Sequence, residues 1–255
     1  MAELRVSDLS HEFTDRKGNR LLVLEDVNLE VGFQEFAAVL GPSGCGKSTF
    51  LNVIDGLIQP TRGVVIINGR EVHSPGLDRA VVFQSPCLLP WRTVRDNVIY
   101  GLELRKAKTD EANTKATELL NMVGLSGFGD YYPHALSAGM QQRVNLARAL
   151  ANDPEILLMD EPFAALDGLT REAMGAELIR IWTGTKKTVV FVTHDIREAI
   201  YLADKVFVFT ARPGKVKAVI EIDIPRPRGL DVKRAQKFLD YEARIWSLLE
   251  LPSMR

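Results

Sequence analysis

The sequence predicts an α/β chain with a mixed, mainly parallel sheet, an antiparallel β subdomain beside it and an inserted helical subdomain. Short apolar runs rich in β-branched residues recur with helical stretches between most of them. Other stretches mix apolar with polar positions, and one long, mostly helical segment separates two of the apolar runs. A chain of 255 residues, 46% hydrophobic and 25% charged, has room for one large domain or a core with a subdomain.

The buried runs are, in order, Phe36 to Leu40, Ala80 to Gln84, Glu155 to Asp160, Thr188 to His194 and Lys205 to Thr210. Their apolar character on both faces is that of strands covered on both sides. Leu21 to Val31 and Gly63 to Val72 are the half-polar stretches, and the second contains Asn68-Gly69, a tight-hairpin pair. The helical insert runs from about 85 to 152. Within it, Asp110 to Leu125 places Ala116, Leu119, Leu120 and Val123 at helical spacing, and a second helix follows Leu136. Strands in "VKAVIEIDIPRPRG" close in a Pro-rich turn, and 226–255 follows as a C-terminal helical extension with an amphipathic helix over Asp231 to Glu250, with Val232, Ala235, Phe238, Leu239, Ile245 and Leu249 on one face.

Composition narrows the function classes. With 32 basic and 33 acidic side chains the formal net charge is -1, which speaks against a nucleic-acid partner. The two cysteines, Cys45 and Cys87, form no metal or disulfide spacing and suit a reducing compartment. No apolar run approaches the roughly 18 residues of a membrane span. The expectation is a chain that neither enters nor crosses a membrane unaided.

The strongest local signal follows the first buried strand: "GPSGCGKST", from Gly41 through Pro42, Ser43, Gly44, Cys45, Gly46, Lys47 and Ser48 to Thr49. It matches G-x-x-x-x-G-K-[ST] between a predicted strand and a predicted helix. Gly41, Gly44 and Gly46 let backbone N–H groups turn inward around phosphate oxygens. Lys47 adds a point charge for the β- and γ-phosphates, the Ser48 hydroxyl can ligate Mg²⁺, and the following helix points its positive end at the same anion. ATP and Mg²⁺ are the implied ligands.

A phosphate loop needs an acidic strand end to hold the metal. "EILLMDEP" supplies Asp160 and Glu161 at the carboxyl edge of the predicted sheet. Asp160 suits the Mg²⁺ shell, and Glu161 suits the orientation or deprotonation of an attacking water.

With these motifs the chain resembles the ATP-binding cassette ATPases, over residues 1 to about 225. Gly41 to Thr49 is similar to their Walker A loop, Gln84 to the Q-loop glutamine and Leu136 to Gln142 to the signature sequence. Asp160 and Glu161 resemble the Walker B pair, Ala164 to Asp167 the D-loop, and His194 the switch histidine. The resemblance implies a P-loop NTPase core. It implies that Gln84 touches the metal and γ-phosphate, that His194 hydrogen-bonds the γ-phosphate, and that Ser137 and Gly139 close over ATP held by a second, head-to-tail subunit. Ser137 is also a good N-cap, and with the Gly139 N–H it would present an anion site. Ala138 and Met140 depart from the family's usual LSGGQ. A helical Ala138 costs little, and Gln141, Gln142 and Arg143 are candidates for the polar role that Met140 lacks. Phe13 resembles the aromatic that stacks on adenine, and a core phenylalanine is its other reading.

The insert carries the remaining signal. Leu88, Leu89, Pro90, Trp91 and Val94 follow Gln84, an apolar patch that suits a partner interface. In the family this region receives the membrane permease, and "LLPW" with "TVRDNV" resembles the nitrate, sulfonate and taurine importer group. The contrasting reading packs Trp91 inside the subdomain. Arg226, Arg228, Lys233 and Arg234 form a basic cluster, either solvated or facing lipid headgroups. The resemblance thus implies an ATP-hydrolysing subunit at the cytoplasmic face of the membrane. Its partners would be a permease contacting about 85–104, a second ATPase subunit and, indirectly, an external solute-binding protein. A soluble cassette ATPase of DNA repair or translation is the alternative.

Overall fold

Consecutive apolar positions make strands covered on both faces, and two are buried at every residue: Phe36–Leu40 (β3) and Thr188–Thr193 (β8). The computed structural model describes residues 3–249, and the chain divides into two compact units. The first is built from 1–76 and 187–255, the second from Leu77–Lys186. Residues 250–255, including the expected helix end at Glu250, lie outside the described residues.

In the first unit β3 pairs in parallel with β8 on one side and with Lys205–Phe209 (β9) on the other. Val216–Glu221 (β10) closes that edge antiparallel to β9, so "VKAVIEIDIPRPRG" holds one strand and not several. A separate antiparallel layer is formed by Leu4–Thr14 (β1), Arg20–Val31 (β2), Arg62–Ile67 (β4) and Arg70–Glu71 (β5), in the order β2-β1-β4-β5. Asn68 and Gly69 both have positive φ, 51° and 74°, which is the two-residue turn their sequence predicts. The centre of this layer, β1, is a strand the sequence does not announce. Its register shifts between Val6 and Leu9 and again on either side of His11, and Asp8 sits at φ 49°. These bulges break the period of two that marks a strand.

Helices Lys47–Asp55 (α1) and Ile196–Leu202 (α6) follow β3 and β8 directly. The C-terminal segment is not one helix from Asp231. A 3₁₀ turn over Leu230–Arg234 stops at Ala235, whose extended backbone (ψ 143°) breaks the path, and Gln236–Leu249 (α7) begins afresh. Phe238 and Ile245 are the buried residues of α7, while Ala235 and Leu239 face solvent.

The basic cluster is also different from expectation. Arg228 is 4% exposed, and its guanidinium donates to five carbonyls, those of Ile200, Tyr201, Ala203, Ile222 and Ile224. Burial pulls its pKa down to about 10, so it stays charged at neutral pH. Arg226 pairs with Asp204 at 2.8 Å. These arginines cap the C-terminal end of α6, where a cation meets the negative pole of the helix, and are not a lipid-facing patch.

The second unit pairs Arg79–Val82 (β6) in parallel with Ile156–Asp160 (β7). Between them lie Val94–Leu104 (α2), Thr109–Met122 (α3) and Ala138–Ala151 (α4), and Gly168–Thr185 (α5) follows β7. Ala116, Leu119, Leu120 and Val123 are all buried, as the helical period requires. β6 ends at Val82, so Gln84 stands two residues beyond the strand rather than at its end.

Candidate nucleotide site

In the first unit, β3 delivers the chain at Leu40 into a loop that α1 takes up at Lys47. Gly44 and Gly46 have φ of 77° and 108°, which side chains rarely tolerate. A Cβ on Gly41 would lie 2.9 Å from Cys45 Sγ, and one on Gly46 would lie 2.9 Å from Val23 Cγ1. The loop is therefore pressed against the core at Gly41 and Gly46, with no room for a side chain at either. Cys45, 1% exposed, is part of that underside; its N–H donates to the Pro42 carbonyl at 3.3 Å. Pro42, Ser43, Gly44 and Ser48 are exposed along the rim, with Thr49 half-buried.

Lys47 is only 5% exposed, and its Nζ donates to the carbonyls of Gly41 at 2.8 Å and Pro42 at 3.1 Å. An ammonium thus lies across the loop beside the positive end of α1, whose first N–H groups have no intrahelical acceptor. Arg212, which the sequence reading missed, donates from Nε and Nη2 to the Gly44 carbonyl at 3.1 and 2.9 Å. Its only sequence signal is an Arg-Pro-Gly turn after β9.

His194 is exposed and follows β8 immediately. The backbone around it is fixed by reciprocal caps. The Asp195 N–H donates to Thr193 Oγ1 at 3.0 Å, the Thr193 hydroxyl donates to Glu198 at 2.8 Å, and the Glu198 N–H donates to Asp195 at 3.0 Å. Gly41, Pro42 and His194 line one cleft of about 440 Å³, together with Arg197, Glu242 and Trp246. Phe13 is 43% exposed, its ring edge-on to His11 at 4.6 Å, so the core reading of Phe13 fails. It pairs with Leu21, close along β2 to the Val23 that meets Gly46.

In the second unit, the segment holding Gln84 is clamped by α4. Gln142 and Asn145 donate to the Phe83 carbonyl, each at 3.2 Å, and Arg148 donates to the carbonyls of Pro86 and Cys87 at 2.6 and 2.8 Å. Burial holds the Arg148 guanidinium below its ordinary pKa. Residues three apart on one helix face do this work; sequence reasoning assigns Asn145 and Arg148 no role, and Gln142 a candidate role only within the signature.

Ser137 caps α4: its Oγ accepts the Met140 N–H at 3.3 Å, leaving the hydroxyl proton to donate. Ala138 is the first helical residue, exposed, and outside the left-handed region. Gly139 is buried, and a Cβ there would lie 3.0 Å from Thr170 Cγ2 on α5. The candidates for Met140's missing polar role are committed elsewhere. Gln141 donates to the carbonyls of Pro133 and Leu136, Gln142 to that of Phe83 and Arg143 to that of Val123. Since Ala138 already has helical geometry, Ala138→Gly should change ATP turnover less than about twofold while costing up to about 1 kcal/mol of stability. A larger gain in turnover would show that the methyl group obstructs the nucleotide.

Asp160 ends β7, and Glu161 sits at φ 42° before Pro162, the kind of backbone strain that clusters at working sites. Asp167 caps α5, accepting the N–H groups of Leu169 and Thr170 at 3.1 Å each. Hydrogen bonding from the Thr170 side chain, then from backbone N–H groups, holds its carboxyl below the ordinary range.

The loop around Gly41–Thr49 fits a polyphosphate: cramped glycines, a lysine across the mouth and a helix N-terminus. Ser48 and Asp160 are hard oxygen donors of the kind Mg²⁺ takes alongside phosphate oxygens and water. A family model described as ABC transporter matches residues 24–164. The chain belongs to the ABC transporter family. It is an ATPase of the ATP-binding cassette type, with the P-loop NTPase core that its sequence predicts.

An uncharacterized ABC transporter ATP-binding protein of Methanocaldococcus jannaschii is 52% identical over 97% of this chain and 91% of its own length. A taurine import ATP-binding protein of Rhizobium johnstonii is 48% identical over 88% and 85%, and a nitrate import ATP-binding protein of a Synechocystis species is 41% identical over 96% and 94%. A solved ATP-binding cassette dimer in a post-hydrolysis state, bound to ADP and Pi, matches with a TM-score of 0.75 at 33% identity, covering 89% of this chain and all of that one.

Proposed function

We propose that this cassette is the ATP-hydrolysing subunit of an importer, driving uptake of a small anionic solute such as nitrate, taurine or another sulfonate. It works as a head-to-tail pair on the cytoplasmic face of the membrane, bound to a separate permease that an external solute-binding protein supplies. Phe13 stacks on adenine, while the Gly41–Thr49 backbone and Lys47 hold the phosphates. Ser48, Asp160 and Gln84 would hold Mg²⁺, which would supply charge neutralisation to the phosphates. Ser137 and Gly139 of the second copy close over the γ-phosphate.

Glu161 orients a water in line with the γ-phosphorus and takes its proton as the P–O bond to ADP breaks; ADP and inorganic phosphate leave. His194 donates a hydrogen bond to the γ-phosphate. Closure on ATP and reopening after hydrolysis are the strokes that the permease receives.

The observation that carries the transport reading is Trp91, 71% exposed. Its loop is held from behind by fully buried Asn97, which binds Leu89 through the N–H at 2.8 Å and the carbonyl at 3.1 Å. A rigid loop presenting a bare indole suits a protein partner. Val94, by contrast, is fully buried as the first residue of α2 and belongs to the subdomain core rather than to the patch. No helix among the described residues is long and apolar enough to cross a membrane. Trp91→Ala should weaken co-purification with the permease from solubilised membranes at least about tenfold, the loss of a hot-spot aromatic, while ATP affinity holds. Undiminished capture of the permease would remove this surface from the interface.

A further inference from the structure

We propose that the C-terminal helix α7 is a positioning element for hydrolysis, acting through the Arg197–Glu242 pair on the segment that carries His194. The inference rests on the assignment of His194 to the γ-phosphate. It concerns residues beyond the cassette motifs, in a part of the chain to which those motifs give no role.

α6 is only seven residues long and starts two residues after His194. A helix of that length does not hold itself in water and takes its position from what grips it. The C-terminal extension grips it at both ends. At the far end Arg228 binds the carbonyls of Ile200, Tyr201 and Ala203, and the Tyr201 hydroxyl returns a bond to the Arg228 carbonyl at 3.1 Å. At the near end Arg197, in the first turn, donates from Nη1 to both oxygens of Glu242 at 3.3 and 2.9 Å and from Nη2 to the Lys233 carbonyl at 3.1 Å. The same guanidinium stands 5.4 Å from the ring centre of Phe238, which is fully buried.

The pair is more than a surface ornament. The Glu242 side chain is 19% exposed and that of Arg197 45%, so the carboxylate side of the pair is the one sheltered from solvent, and the planar fork of arginine fixes direction as well as distance. The pair also stands in the right place. Glu242 and Trp246 line the cleft that Gly41, Pro42 and His194 line from the other elements of the unit. α7 therefore sets where α6 begins, and α6 sets where the His194 backbone lies. Glu242 touches no reacting atom; it acts through Arg197.

A kinetic double-mutant cycle on the full chain tests this. ATP turnover is measured for the wild type, Glu242→Gln, His194→Ala and the combination, and for the charge swap Arg197→Glu with Glu242→Arg. Glu242→Gln should lower kcat about fivefold with KM unchanged, and should have no further effect once His194 is alanine. The swap should restore at least about half of the lost kcat by re-forming the pair in reverse. An equal Glu242→Gln effect in both His194 backgrounds, or a rise in KM alone, overturns the positioning role and leaves His194's own assignment intact. If His194→Ala turns over normally, the assignment of His194 fails, and the inference with it.

Discussion

Glu161→Gln should lower ATP turnover by at least about a hundredfold while leaving ATP affinity within a few-fold of wild type. The amide keeps the size and the hydrogen-bonding reach of the carboxylate but cannot take a proton, so the chemical step is lost and the binding contacts stay. Those contacts come from a different part of the chain. Lys47 and the cramped Gly41–Thr49 loop belong to the first compact unit, whereas Glu161 follows β7 in the second. The strained backbone at Glu161, with φ of 42°, is unchanged by an isosteric side chain, so the folded state should survive the substitution. Single-turnover hydrolysis separated from nucleotide-binding titration reads the two effects apart. Near-normal hydrolysis would remove Glu161 as the base, and a parallel collapse in ATP affinity would make it a binding residue instead.

Arg228→Ala should cost at least about 3 kcal/mol of stability, since a buried cation clasped by carbonyls leaves several buried acceptors short of a partner when it is removed. For a chain of this size that is a fall of roughly 6–12 °C in the unfolding midpoint. Five carbonyls converge on the guanidinium, and three of them belong to the end of α6, where the helix leaves its acceptors unpaired. Lysine cannot reproduce the planar fork, so Arg228→Lys should recover only part of the loss. Arg234→Ala, at an exposed position in the same basic stretch, is the control and should shift stability by no more than about 0.5 kcal/mol. An unchanged midpoint in Arg228→Ala would mean that the clasp does not hold α6.

What the sequence made legible follows from the physics of each segment. β3 was readable because every position is apolar, and β8 because four apolar residues run between its two threonines; the loop after β3 was readable because its glycine-rich pattern restricts residue type at each step. β1 was not readable, although it is the centre of the antiparallel layer. Its bulges at Asp8 and around His11 place Leu4, Val6, Leu9 and His11 inward at uneven spacing, so no alternation survives. The basic residues near Arg226 were misread for a related reason. Charge alone signals solvent, and only the tertiary fold shows that Arg228 finds carbonyls at the end of a helix distant in sequence. Among the candidate site residues, those of the motifs carry a pattern in the sequence and their supports do not. Arg212 on the Gly44 carbonyl, and Gln142, Asn145 and Arg148 on the loop before Cys87, act on backbone atoms, which leave no mark in residue type at the receiving end.

The start of α4 gained definition in the same way. Ser137 is a cap whose proton is left for a second acceptor, Gly139 is small because Thr170 of α5 is close, and Ala138 is an ordinary first helical residue. Each of these is a local reason for the sequence, and none of them requires the nucleotide. The nucleotide role proposed for Ser137 depends on the second copy.

The central proposal, a nucleotide site completed by a second cassette, is tested most directly by the solution mass of the Glu161→Gln chain with ATP and Mg²⁺, measured by light scattering across a sizing column. The proposal predicts a shift from 28.4 kDa to twice that value, abolished when Ser137→Glu is added to the same chain. A chain that stays at 28.4 kDa with ATP bound, or one that pairs equally well with Ser137→Glu, would contradict it.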